Sequence, residues 1–148
     1  MFTISKEPIQ KFVTTSPAQT FELGEAVSAV LKPGAIIAYQ GGMGMGKTLF
    51  TTGLVKGLGC TMAVTSPTFA LLNEYRGGRL PVCHIDAFRL NGPDDLESIG
   101  FYDYVDNGWV IAVEWSEQVA AALPYQTIQM QFTRIDDHTR EITLHFGA

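Results

Sequence analysis

Basic residues are in short supply in this chain: 10 Lys and Arg stand against 15 Asp and Glu, a formal net charge of −5. Gripping a nucleic-acid backbone needs clustered Lys and Arg to neutralise phosphates, and no such cluster occurs, which argues against unaided nucleic-acid binding. If the function concerns a nucleic acid, something else must hold it. Cysteine is sparser still, with only Cys60 and Cys83. The two are not paired in C-x-x-C fashion and have only His84 nearby, so a structural zinc site is not expected and both read as buried, reduced thiols. Long apolar runs are missing as well: the longest are about six residues, where a membrane-spanning helix needs about 20. Met1 to Thr20 lacks the basic start and apolar core of a secretory leader, so a cytoplasmic location with no membrane contact is expected. No repeat or low-complexity stretch is visible. A composition 46% hydrophobic and 17% charged, over 148 residues, suits one globular domain spanning 1–148, with about two-thirds of its unfolded surface buried.

What the chain does have is a short apolar strand, Ala35 to Tyr39, followed after Gln40 by Gly41-Gly42-Met43-Gly44-Met45-Gly46-Lys47-Thr48 and then Leu49 to Lys56 with helical apolar spacing. Gly41 through Thr48 satisfy G-x-x-x-x-G-K-[ST], the phosphate-binding P-loop, in its required strand, turn and helix setting. Glycines without Cβ atoms let consecutive backbone N–H groups turn inward around phosphate oxygens, and the following helix directs its positive end at them. The nucleotide-binding candidates are therefore Gly41, Gly42, Met43, Gly44, Met45, Gly46, Lys47, Thr48 and Leu49. In this motif the lysine, Lys47, reaches the β- and γ-phosphates, and the Thr48 hydroxyl is a ligand for Mg²⁺.

Around that motif the pattern predicts strands and helices in alternation. Gln10 to Thr15 reads as a strand; Ser16, Pro17 and Gln19 supply the N-cap, first position and capping-box residue of a helix. Phe21, Leu23, Ala26, Val27, Val30 and Leu31 mark its apolar face, and Pro33-Gly34 ends it. Leu49, Phe50, Leu54, Val55 and Leu58 form the buried face of the helix after the P-loop. Ala70 to Arg76 and Leu80 to Asp86 read as a hairpin turning at Gly77-Gly78. Asp94 to Ile99 and Phe101 to Asn107 are short helices, Trp109 to Glu114 is a buried strand, and Thr127 to Ile135 with Thr139 to Phe146 form a terminal hairpin around Asp136-Asp137-His138. The fold class this implies is α/β: a three-layer, P-loop NTPase-like domain with a mixed, partly parallel, twisted sheet. Ligands of such sheets sit beyond the carboxyl ends of the strands.

Two strands end in an acid there, Val82 to Asp86 and Val110 to Glu114. A carboxylate at a buried strand end is costly unless a cation, a hydrogen bond or a metal satisfies it, and nucleotide-bound Mg²⁺ is one such partner. A plain helix cap is the competing reading for each. Asp86 and Glu114, with Lys47 and Thr68, are the catalytic candidates; Thr48, Asp86 and Glu114 are the metal candidates. Ser66-Pro67-Thr68 offers hydroxyls that can sense a γ-phosphate, or is simply a turn. Arg76, Arg79 and Arg89 are candidates for charge stabilisation or solvated surface residues. His84 is either an orienting partner of Asp86 or a satisfied core residue. Trp115 either stacks on a nucleotide or partner or packs in the core.

Taken in order, Gly41 to Thr48, Ser66-Pro67-Thr68-Phe69, Asn73-Glu74-Tyr75, His84-Ile85-Asp86-Ala87-Phe88-Arg89 and Glu114-Trp115-Ser116-Glu117 resemble the bacterial TsaE (YjeE) family. The resemblance departs from the family pattern at Met45, Phe88 and Ser116, where a small residue, a Tyr and a Pro are usual. It implies a small P-loop ATPase using ATP and Mg²⁺, required for threonylcarbamoyladenosine modification of tRNAs that read codons starting with A. It further implies action through the TsaB and TsaD proteins, with TsaD carrying the transfer chemistry and tRNA met only indirectly. By position, the resemblance matches Lys47 and Thr48 to phosphate and Mg²⁺ residues, Asp86 and Glu114 to acidic metal-site or catalytic positions, and Thr68 to a switch-like segment.

Two other functions fit a P-loop in a compact α/β chain: a small-molecule kinase, and a nucleotide-dependent binding module with little hydrolysis. A kinase needs an acceptor-binding lid, usually rich in arginine, and no arginine cluster is present.

Overall fold

The structure is a computed structural model that describes residues 2–42, 46–65, 67 and 71–146. Met43, Gly44, Met45, Ser66, Thr68, Phe69 and Ala70 lie outside the described residues. Along the chain run β1 (Ile9–Thr14), α1 (Pro17–Ser28), β2 (Ile36–Gln40), α2 (Lys47–Gly57), β3 (Leu72–Tyr75), β4 (Val82–Asp86), α3 (Asp94–Ser98), α4 (Phe101–Asp106), β5 (Val110–Glu114), a 3₁₀ helix (Ser116–Ala122), β6 (Ile128–Arg134) and β7 (Arg140–His145). The strands form one sheet in the order β1-β7-β6-β2-β5-β4-β3. β2, β4 and β5 run parallel, and β2 is also parallel to β6. β1 with β7, β6 with β7 and β3 with β4 are antiparallel, which makes the sheet mixed, as the hairpin signals predict.

Two apolar cores separate three layers. Leu23 and Val27 of α1 and Phe50, Leu54 and Val55 of α2 pack on Ile37, Tyr39, Val110, Ala112, Met130 and Phe132. On the other face Leu96, Phe101 and Val119 cover Ile36, Cys83, Ile85, Ile111 and Val113. Successive side chains of a strand point to opposite faces. With helices on both, β2, β4 and β5 must be apolar at nearly every position, which is why they appear in the sequence as continuous rather than alternating runs. Cys60 and Cys83 are free and buried. Among the described residues no helix is long and apolar enough to cross a membrane.

Several element boundaries and faces differ from expectation. α1 ends at Ser28, before Pro33. Val30 is 43% exposed, and Gly24 and Ser28 take its place on the buried face. The Ser16 hydroxyl accepts from Gln19 N at 3.2 Å as a cap should, but Gln19 Oε1 accepts from Thr15 N at 2.7 Å, one residue before the cap. Leu49 is 40% exposed. The connection from β3 to β4 is a loop over residues 76–81 rather than a two-residue turn, because pairing closes at Tyr75 with Val82. The 3₁₀ helix at 116–122 has no counterpart in the sequence reading.

Candidate functional site

Parallel pairing decides where the site forms. β2, β4 and β5 all finish on one edge of the sheet. Asp86 and Glu114 are register partners at the ends of β4 and β5, and the chain leaves β2 beside them to enter the loop before α2. Two glycines are required in that loop by geometry. Gly41 has φ +133°, and a Cβ there would lie 2.8 Å from Phe132 O; Gly46, the N-cap of α2, has φ +96°. Both angles are ones that L side chains rarely adopt.

These elements surround a cavity of about 770 Å³. Gly42, Gly46, Lys47, Thr48, Leu49, Asp86 and Glu114 line it, so it gathers described parts of the P-loop and both strand-end acids. Lys47 is 6% exposed, Asp86 6% and Glu114 8%. Burial holds the Lys47 ammonium below the ordinary lysine value, and the negative charges of Glu114, Glu117 and Asp86 oppose that shift. The Lys47 Nζ lies 4.7 Å from the Trp115 ring centroid, a cation–π distance. Trp115 itself has φ +56° and meets Phe88 with ring centroids 5.2 Å apart. It stands at the cavity and not in either core.

The acids are not helix caps. Asp86 Oδ1 accepts from Phe88 N at 2.9 Å, in the turn after β4. Glu114 Oε2 meets His84 Nε2 at 2.5 Å. His84 is fully buried and its partner is the neighbouring strand's acid, not Asp86; among the described residues its Nδ1 has no hydrogen-bond partner. Beneath the site the Tyr39 hydroxyl bonds Thr51 Oγ1 at 2.8 Å, and burial drives that phenol far above its ordinary pKa. Ser116 Oγ donates to Tyr39 O at 3.1 Å, tying the start of the 3₁₀ helix to the end of β2.

Of the three arginines proposed for charge stabilisation, none is among the described residues lining the cavity. Arg79 donates to Ser28 O at 2.9 Å and Leu31 O at 3.4 Å, where α1 runs out of intrahelical partners. Arg76 pairs with Glu74 at 3.2 Å and lies over the Trp109 ring at 4.6 Å. Arg89 is exposed. Arg140 lines the cavity instead, together with Thr14, Ser16, Pro17, Thr20, Phe88, Asp137 and His138. The sequence pattern places Thr14 in a strand, Ser16 and Pro17 at a helix start, Asp137, His138 and Arg140 in the terminal hairpin and Phe88 at a departure from the family pattern. No local signal marks them, because the wall they form depends on Thr14 of β1 pairing with Arg140 of β7. Of the other candidates, Thr68, Met43, Gly44 and Met45 lie outside the described residues.

Residues 14–142 match the family model described as "Threonylcarbamoyl adenosine biosynthesis protein TsaE". The chain is similar to the Bacillus subtilis tRNA threonylcarbamoyladenosine biosynthesis protein TsaE, 38% identical over 133 residues that cover 90% of this chain and 83% of that protein. It is 39% identical over 132 residues to the Treponema pallidum protein of the same name, covering 89% of this chain and 97% of the relative. The crystal structure of YdiB from Bacillus subtilis superposes with a TM-score of 0.82 at 32% identity, over 95% of this chain and 86% of that one. A match spanning nearly the whole sheet, with the P-loop and both acidic strand ends inside it, leaves one conclusion: the chain belongs to the TsaE family.

Proposed function

We propose that this protein binds and hydrolyses Mg-ATP to drive a step of threonylcarbamoyladenosine formation on tRNA, acting on TsaB and TsaD partners and not gripping tRNA itself. The observation that carries the reading is the convergence of Lys47, Thr48, Asp86 and Glu114 on one cavity at the strand ends, behind a P-loop sequence. In this reading the P-loop sequence Gly41 to Leu49 binds the phosphates, Lys47 reaches the β- and γ-phosphates, and the nucleoside lies toward Thr14, Pro17 and Arg140 of the cavity wall. The donor set fits Mg²⁺, since a hydroxyl and two carboxylates are hard oxygen ligands and Mg²⁺ is commonly held by one or two carboxylates plus substrate phosphates. Thr48, Asp86 and Glu114 would hold it, and bound there it neutralises charge on the phosphates.

Hydrolysis requires a water to attack the γ-phosphorus while the bond to the bridging oxygen breaks, releasing ADP and phosphate. Glu114 orients that water, and Asp86 supports the metal shell. A P-loop site with no arginine on the γ-phosphate can run about 10³–10⁵-fold below its completed rate, and among the described residues Arg76, Arg79 and Arg89 all lie off the cavity. Slow turnover alone and effective turnover with partners is the expected behaviour. The test is phosphate release by the chain alone, then with TsaB and TsaD, then with tRNA added. A fast, partner-insensitive rate rejects the partner-dependent reading, phosphate transfer to a small metabolite indicates the kinase, and tight ATP binding without release indicates the binding module.

A further inference from the structure

We infer that His84 is a positioning residue for Glu114: its imidazole holds one carboxylate oxygen from within the core, presenting the other to the cavity and keeping the acid off Lys47. The inference rests on the reading of Glu114 given under Proposed function. His84 sits in the middle of β4 and is 0% exposed. Its register partner on β5 is Ala112, two residues before Glu114 on the same face of the sheet. A small side chain at that point leaves room for the ring to lie along the sheet and reach Glu114 Oε2 at 2.5 Å. Tyr39 and Tyr75 flank the ring, each with its centroid 6.5 Å away, so the imidazole has little freedom to turn.

The two neighbouring acids are thus anchored separately, Glu114 by a ring nitrogen and Asp86 by the Phe88 backbone N–H. Like charges on adjacent strands repel, and separate donors keep both carboxylates in place. Lys47 faces the same cavity, yet no ion pair joins it to either acid among the described residues. In a desolvated site an untethered Glu114 would be drawn to that ammonium. Lys47 would then be lost to the phosphates, and Glu114 to metal or water. With a carboxylate as acceptor, Nε2 is the donor; among the described residues an N–H at Nδ1 would be a buried donor without a partner, which favours the Nε2–H tautomer.

The test uses the full chain with its partner proteins and the variants His84→Leu, His84→Gln, Glu114→Gln and the His84→Leu/Glu114→Gln double variant. Glutamine can place an amide N–H near the position of Nε2; leucine cannot. His84→Leu should lower kcat about tenfold and raise the Mg²⁺ concentration needed for half-maximal turnover, with His84→Gln recovering most of both. The double variant should be no slower than Glu114→Gln. In the wild-type, nucleotide-free protein, imidazole ¹⁵N spectra should show His84 as the Nε2–H tautomer, a readout independent of turnover and of whether any variant folds. An Nδ1–H ring overturns the inference. So does a folded His84→Leu protein with normal kcat beside an impaired Glu114→Gln, or equal deficits in His84→Leu and His84→Gln. Normal turnover in Glu114→Gln instead removes the role of Glu114, and the inference falls with it.

Discussion

Replacing Gly53 with alanine sets local helix propensity against tertiary packing. Taken alone, the change should stabilise α2 by about 1 kcal/mol, because glycine in a helix interior is that much worse than alanine. The structure opposes it. A Cβ on Gly53 would lie 2.0 Å from Phe21 O, 2.9 Å from Phe21 C and 3.2 Å from Glu25 N, all backbone atoms of α1 that no rotamer change can move. The contact is reciprocal, since a Cβ on Gly24 would meet Phe50 O at 2.2 Å. Real Cβ contacts are essentially never under 3.0 Å, so α1 and α2 must part by about 1 Å, the difference between 3.0 and 2.0 Å. Overpacking costs about 1–3 kcal/mol, and the rigid neighbours favour the upper part of that range. The net loss should be about 1–2 kcal/mol, or about 2–8 °C in Tm for a chain of this size. Because α2 begins at Lys47, a displacement of about 1 Å should also cut ATP turnover by up to about a hundredfold. Urea unfolding would show a lower midpoint at unchanged m-value, and Gly92→Ala, which meets nothing within 4 Å, serves as the neutral control. A Gly53→Ala protein as stable as the parent would refute the argument.

Lys47→Ala should weaken ATP binding by roughly ten- to a hundredfold, the loss of a charge-assisted contact worth about 1.5–3 kcal/mol; calorimetry finding near-parental affinity in a folded variant contradicts the assignment. Asp86→Asn should weaken Mg²⁺-dependent binding, whereas Glu114→Gln should mainly slow hydrolysis; normal behaviour in both would make these acids structural. Alkaline stability should fall early. Burial pushes the Cys83 thiol up to about 12 from 9.0, and the hydrogen bond to Glu74, then burial, pushes Tyr104 up to about 12 from 10.0. Both raised values favour the protonated native state, so their stabilisation is complete below about pH 9 and is lost as the pH climbs toward 12. Tyr104→Phe should flatten the decline between pH 10 and 12 in urea midpoints measured across that range; an unchanged slope would discount the Tyr104–Glu74 bond.

The chemistry in this chain that depends on short spacing is legible without coordinates. Gly41 to Thr48 can be read as a phosphate-binding turn because backbone geometry demands those glycines at those intervals, and Asp86 and Glu114 stand out because each ends an apolar run. The Ser16 cap and the terminal hairpin are local in the same sense. What the sequence leaves open is which of these segments meet. His84 and Glu114 are 30 residues apart, and only the parallel register of β4 and β5 brings them into contact. The cavity wall of Thr14 and Arg140 needs β7 to insert between β6 and β1, which no hairpin signal specifies. Val30 and Leu49 look like core residues by helical spacing and are exposed, because α1 and α2 meet through Gly24 and Gly53, which carry no apolar signal. Periodicity reports that an element has a buried face. The partner against that face, and the register at which it packs, are decided by close contacts between residues distant in the chain.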